Sequence, residues 1–128
     1  MNVVGIGTDI IECLRIAQMI ERHGELFLNR VYTPQEIEYC SQRKAATQHY
    51  AGRWAAKESV LKALGTGWAR GISWRDIEVH NQTGGKPLIR LEGGAGEVSR
   101  RLGIASMLIS ISHCRSHATA YALALGND

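Results

Sequence analysis

Apolar residues recur along this chain with two different periods, and the periods mark out its elements. Over 13–23, Cys13, Ile16, Ala17 and Ile20 repeat at helical spacing while Arg15, Glu21 and Arg22 face away. This predicts a surface helix that Gly24 ends. Leu26, Phe27 and Leu28 continue apolar up to Thr33-Pro34-Gln35-Glu36. That tetrapeptide is a capping box with proline at the first helical position, and a short helix should run from it to about Arg43. The polar stretch 41–48 then leads into the main helix, rich in Ala, Leu, Lys, Glu, Arg and Trp and stopped by Gly65 and Gly67. Beyond Gly67 the period shortens. Trp74, Ile77 and Val79 predict a strand, the glycine-rich 81–87 a turn, and 88–91 the returning strand. A short helical pattern over 94–102 carries Arg100 and Arg101, and 107–113 and 118–125 read as a hairpin turning near Arg115 and Ser116. The chain opens with a β-rich run from Val3, in which Gly5 and Gly7 admit another backbone or a ligand at close range.

Two carboxylates break this pattern. Tyr50, Ala51, Trp54 and Leu61 form one apolar stripe at about 100° per residue, and Glu58 falls in its middle. A carboxylate there needs a partner, since burying one unpaired costs several kcal/mol. An ion pair with Lys62 at i,i+4, or with Lys57, would serve structurally. Arg53, Lys57 and Lys62 on the same helix, with Gly-Thr-Gly at its end, equally suit an anionic phosphate ligand with a metal between it and the carboxylate. Asp9 carries a similar ambiguity. Asp9-Ile10-Ile11-Glu12 has the spacing of a helix cap box, and a carboxylate ending a Gly-rich strand also suits a hard cation.

Composition narrows the class. A chain of 128 residues fits one domain over 1–128, and 45% hydrophobic with 21% charged residues is ordinary for a globular protein. The net charge of +3 mildly favours acidic partners. Nucleic acid is not indicated, because Lys and Arg form no run and do not interleave with aromatics. Cys13, Cys40 and Cys114 are too widely spaced for a zinc site and read as reduced core cysteines of a cytoplasmic protein. Nothing in the sequence suggests a secretion signal or a membrane segment.

The motif from Gly5 to Glu12, followed by Arg53-Trp54-Ala55-Ala56-Lys57-Glu58-Ser59-Val60-Leu61-Lys62-Ala63, resembles the holo-acyl-carrier-protein synthases. The likeness continues in order through Gly65-Thr66-Gly67, 72–79, Gly85-Lys86-Pro87 and Ser110-Ile111-Ser112-His113. It covers nearly the whole chain, and the length is similar to that of the small trimeric class of phosphopantetheinyl transferases. The resemblance implies an α+β fold with a small antiparallel sheet packed on the long central helix, in agreement with the order of elements. It also implies an Mg²⁺-dependent enzyme of fatty acid biosynthesis. Such an enzyme transfers 4′-phosphopantetheine from coenzyme A to a serine of apo acyl carrier protein and releases adenosine 3′,5′-bisphosphate.

By that resemblance Asp9 and Glu58 hold the metal with the coenzyme A diphosphate. Glu58, directly or through a water on the metal, takes the serine proton, and Lys62 neutralises charge on the leaving group. Arg53, Lys62, Thr66, Gly67, Lys86 and His113 lie in motifs that line the nucleotide end of coenzyme A. Arg15 stands where the family presents an arginine to the acidic recognition helix of the carrier, with Arg22 on the same face. A homotrimer with coenzyme A bound between neighbouring chains is implied. Cys114-Arg115-Ser116 departs from the more acidic turn of the family. A metal-dependent coenzyme A phosphohydrolase, which would use water as nucleophile, and a non-catalytic coenzyme A-binding module are the alternative readings.

Overall fold

The computed structural model describes residues 1–68 and 71–127. Among the described residues, five strands and five helices follow one another as β1 (Asn2–Glu12), α1 (Cys13–His23), α2 (Glu25–Val31), α3 (Pro34–Ser41), α4 (Ala46–Leu64), β2 (Ile77–Asn81), β3 (Pro87–Leu91), α5 (Gly93–Arg101), β4 (Ile104–His113) and β5 (His117–Gly126), with a 3-10 turn at Trp74–Asp76. The fold is α+β, with α4 at its centre. The antiparallel strands split into a three-stranded sheet in the order β1-β5-β4 and a separate β2-β3 hairpin.

Alternation along β5 explains how the larger sheet meets α4. Ala118, Ala120, Ala122 and Ala124 are buried on one face, and the intervening side chains face outward. Small residues on the inner face let the helix approach closely, and α4 answers with buried Ala51, Ala55, Ala56 and Ala63. Nearest the helix is β1. A Cβ added to Gly5 would lie 2.0 Å from the Ala63 carbonyl oxygen, and one added to Gly7 would lie 1.8 Å from that of Ser59. The two glycines therefore admit a backbone, that of α4.

Several sequence expectations need correction. Asp9 is no helix cap: β1 runs straight through it to Glu12, α1 starts at Cys13, and its N-cap Glu12 makes no side-chain capping bond. Pairing with β5 from Asn2↔Gly126 to Glu12↔His117 overrides the local cap signal. Leu26-Phe27-Leu28 forms a helix of its own, α2. Of the three cysteines Cys13 and Cys40 are buried, whereas Cys114 is exposed on the β4–β5 turn. The capping box at Thr33 and Glu36 is present as read.

Glu36 also does something the sequence did not announce. It is fully buried with Lys57, whose Nζ lies 2.8 Å from its carboxylate. Lys57 further donates to the carbonyls of Trp74 (3.1 Å) and Ile77, and Glu36 accepts from the Val79 amide at 2.8 Å. Lys57 is thus committed to Glu36 and to the backbone beside β2, which removes it as the partner of Glu58. Among the described residues no helix is long and apolar enough to cross a membrane.

Candidate active site

The glycine contact between β1 and α4 sets two residues side by side that lie about fifty positions apart in sequence. Asp9 follows Gly7 by two positions, and Glu58 precedes Ser59 by one. Lys62, one helical turn beyond Glu58, places its Nζ 3.3 Å from Asp9 Oδ1 and 2.8 Å from the Thr8 carbonyl oxygen. Lys62 therefore pairs with Asp9 across the cleft, and the i,i+4 bridge to Glu58 suggested by the sequence is not the contact formed. The Asp9 side chain is only 17% exposed and Lys62 is 54% exposed, so the pair sits where the buried contact of β1 and α4 reaches the surface.

Glu58 is half-buried and accepts a hydrogen bond from Trp68 Nε1 at 3.3 Å. Burial pushes its carboxyl above the ordinary value. The Trp68 hydrogen bond opposes that rise, the Asp9 charge adds to it, and the Lys62 charge opposes it. Two carboxylates close enough to repel gain from a positive charge. No cluster of three or more carboxylate, histidine or thiol groups exists among the described residues, which leaves Asp9 and Glu58 as a pair. That donor set suits a hard cation of the magnesium type, which takes one or two carboxylates and completes its shell with water and substrate phosphate. Thr66 and Gly67 follow on the turn that ends α4, where Thr66 Oγ1 donates to the Gly67 carbonyl at 3.1 Å.

Arg53 and His113 lie elsewhere. Together with Tyr39, His49, Gly52, Asn81, Gly85, Pro87 and Ile111 they line a cavity of about 200 Å³ between α4, β4 and the β2–β3 turn. The Arg53 guanidinium stacks 4.1 Å from the centre of the Tyr39 ring and donates to Asn81 Oδ1 at 2.6 Å. Its buried Nε has no hydrogen-bond partner among the described residues. His113 meets Gln48 through Nδ1 at 2.9 Å and packs edge-on against His49. Burial depresses the His49 imidazole, and nearby His113, Arg43 and Arg53 depress it further. A guanidinium with a spare donor in a small cavity suits an anion. Lys86 is exposed on the turn between two lining residues.

Five positions separate Arg53 from Glu58, which turns them about 140° apart around α4. The Arg53 and Glu58 side chains thus leave α4 in different directions. Arg15 and Arg22 are exposed on α1, seven positions apart and so on one face. An apolar groove opens nearby between α1 and α2, lined by Met19, His23, Leu26, Phe27 and Arg30. Sequence reading missed Tyr39, Asn81 and Trp68, which tertiary packing brings to their sites, and also His49, whose i,i+4 spacing to Arg53 on α4 could have found it.

Known proteins resemble this chain over nearly its whole length. Residues 5–125 match the model of the 4′-phosphopantetheinyl transferase superfamily. A holo-[acyl-carrier-protein] synthase of Rhodopirellula baltica is 46% identical over 121 residues, which covers 94% of this chain and 96% of that protein. The crystal structure of the Neisseria meningitidis holo-[acyl-carrier-protein] synthase superposes with a TM-score of 0.89 at 31% identity, covering 97% of this chain and 99% of that one. The Helicobacter pylori enzyme, solved in complex with coenzyme A, superposes with a TM-score of 0.83 at 32% identity over 94% of this chain and 99% of its own. Within the 4′-phosphopantetheinyl transferase superfamily, the chain belongs to the holo-[acyl-carrier-protein] synthases.

Proposed function

We propose that the Asp9–Glu58–Lys62 cleft is where this chain carries out the reaction of its family, transfer of 4′-phosphopantetheine from coenzyme A to a serine of apo acyl carrier protein. The observation that carries the reading is the pairing of two mutually repelling carboxylates with one lysine in a half-buried cleft. Asp9 and Glu58 would hold Mg²⁺ together with the coenzyme A diphosphate. When bound, the ion supplies positive charge against the diphosphate oxygens. The serine hydroxyl attacks the phosphorus next to the pantetheine arm. A new P–O bond forms to serine, the P–O bond to the nucleotide breaks, and adenosine 3′,5′-bisphosphate leaves. Glu58 takes the serine proton, as a half-buried carboxylate is suited to do. Lys62 reaches the cleft on a flexible stem and offsets charge that builds on the departing phosphate.

The basic cavity of Arg53 and His113, with Lys86 on its rim, is the proposed seat of the nucleotide phosphates, while Thr66 and Gly67 flank the cleft. The Glu58 and Arg53 side chains leave α4 in different directions, so a single ligand that meets both would span two neighbouring copies. Support for such an assembly comes from the outer face of the β1-β5-β4 sheet. Ile6, Ile10, Leu108 and Tyr121 are exposed there, an apolar face of the kind that marks an interface. A homotrimer is the assembly we propose. Arg15 and Arg22 beside the α1–α2 groove are the proposed contacts to the acidic carrier.

Intact mass spectrometry of apo acyl carrier protein incubated with this protein and coenzyme A, with and without Mg²⁺, tests the reading. A gain of one phosphopantetheine that depends on the metal is expected. Release of bisphosphate from coenzyme A without carrier would instead indicate the phosphohydrolase. Intact coenzyme A retained without transfer would leave only a binding module.

A further inference from the structure

All three tryptophans of the chain stand in one stack that ends on Glu58. Trp54 lies on α4 one turn before Glu58, and its ring stacks on Phe27 of α2 at 6.0 Å with the planes 28° apart. The Trp54 ring also stacks on Trp74 at 4.2 Å and 29°. Trp74 in turn meets Trp68 at 3.9 Å and 35°. Trp68 turns back to α4 and donates its indole N–H to Glu58 Oε1. The chain of contacts therefore leaves α4 at position 54 and returns to it at position 58.

The stack is anchored at Phe27 and at Trp74. Phe27 is buried in the main core, and the carbonyl of Trp74 accepts from the buried Lys57 Nζ. An indole has only two side-chain torsions, and contact with Trp74 fixes the plane of the ring and hence the direction of its N–H. Glu58, with three torsions and the like charge of Asp9 nearby, would otherwise distribute its carboxylate over several rotamers. One oxygen is held by the indole.

We propose that Trp68 is a positioning residue for the transfer reaction, holding one carboxylate oxygen of Glu58 from a ring fixed by the Trp54–Trp74 stack. The proposal rests on the reading of Glu58 as a catalytic group. Trp68 itself touches no substrate in this scheme. It acts by reducing the carboxylate orientations available before substrate arrives.

The test compares Trp68→Phe, which keeps an aromatic ring but lacks the N–H, with Glu58→Gln and with the double variant. Turnover and KM for both substrates are measured by carrier loading, and tryptophan emission is recorded on each protein without substrate. Trp68→Phe should lower kcat about tenfold, the scale of one hydrogen bond to a charged group, with both KM values within about twofold of the parent. Glu58→Gln should shift tryptophan emission in the parent and leave it unchanged in the Trp68→Phe background. Wild-type kcat in Trp68→Phe together with an inactive Glu58→Gln would overturn the positioning role and leave Glu58 catalytic. An emission shift of equal size in both backgrounds would also overturn it. So would a joint change of kcat and KM accompanied by loss of the near-ultraviolet dichroism of the Trp54–Trp74 pair, since Trp68 would then act on the fold. A fully active Glu58→Gln would instead sink the reading of Glu58 itself.

Discussion

A Cβ placed on Gly7 would lie 1.8 Å from the carbonyl oxygen of Ser59, a distance no side chain can occupy. Strand and helix touch backbone to backbone at the point from which Asp9 and Glu58 both project. Gly7→Ala must push β1 off α4, and overpacking of this kind costs about 1–3 kcal/mol. A fall of several degrees in Tm is expected, as is a loss of transfer larger than the unfolded fraction explains. Thermal unfolding, and carrier loading measured well below Tm, check this. Wild-type loading by Gly7→Ala would show that the contact does not set the distance between the carboxylates.

Glu58 is held above its ordinary pKa by burial and, further, by the Asp9 charge, although the Trp68 bond and Lys62 oppose the rise. Its ionised form is thus disfavoured in the folded state. A group of this sign withdraws stability as pH rises through the window from 4.5 to its folded value. Removing the charge should relieve that cost. Glu58→Gln is expected to unfold at a Tm no lower than the parent at pH 7, while transfer falls at least 100-fold. Asp9→Asn should lose transfer comparably and bring the Glu58 carboxyl back down, which carboxyl-carbon NMR titration would read directly. Full activity of either variant at saturating Mg²⁺ contradicts the assignment.

The contrast between Glu58 and Lys57 shows what the chain reveals on its own. The carboxylate on an apolar stripe was conspicuous because helical periodicity fixes which residues share a face. Lys57 looked equally free in sequence, yet it is fully buried against Glu36, twenty-one positions upstream, and neither its burial nor its partner is a local property. Asp9 shows the limit from the other side. A strong local cap pattern lost to strand pairing with residues more than a hundred positions away. The order of elements was legible wherever period and glycine stops agreed, as at α1, α4 and the final hairpin. The split of the strands into two sheets was not, because register between distant strands leaves no mark on any one of them. The cavity at Arg53 was visible only in part, since Tyr39 and Asn81 reach it from elements other than α4.

Glu78 offers a test by pH. Burial pushes its carboxyl up, but hydrogen bonds from Thr33 and His80 and the charges of His80 and Arg90 outweigh this and hold it below the ordinary value. A depressed carboxyl contributes stability that is complete above 4.5 and is lost as pH falls through its folded value. Glu78→Gln should therefore cost on the order of 1–2 kcal/mol at pH 7 and progressively less in acid. Denaturant unfolding at pH 7, 4.5 and 3 reads the convergence. A gap that stays constant over that range would show that the charge of Glu78 contributes nothing.

The outer sheet face gives a prediction on assembly. Tyr121 of β5 is 60% exposed, lies opposite Thr8 of β1 and Ser110 of β4, and is flanked by exposed Ile6, Ile10 and Leu108. Tyr121→Glu places a charge in the middle of this patch without touching the inner alanine face. Sedimentation equilibrium should give a species of about 42 kDa for the parent, three times 14.1 kDa, and a monomer for the variant. Loading by the monomer should fall at least tenfold even with its fold intact by circular dichroism. An active monomer would place cleft and cavity in the service of one chain.

Arg15 and Arg22 project from one face of α1 beside a groove lined by Met19, Leu26 and Phe27, so a partner helix would find charge and apolar surface together. An acidic helix should be drawn to this face by long-range attraction and seated by the groove. Arg15→Glu replaces attraction with repulsion at an exposed position, where stability should change by less than about 0.5 kcal/mol. The KM for carrier protein is expected to rise roughly tenfold while the KM for coenzyme A stays within twofold. Salt should weaken carrier binding to the parent more steeply than to the variant, because the variant has fewer attractive charges left to screen. Stopped-flow association across an ionic-strength series separates the two slopes. Parallel slopes, or equal losses for both substrates, would move carrier recognition away from α1.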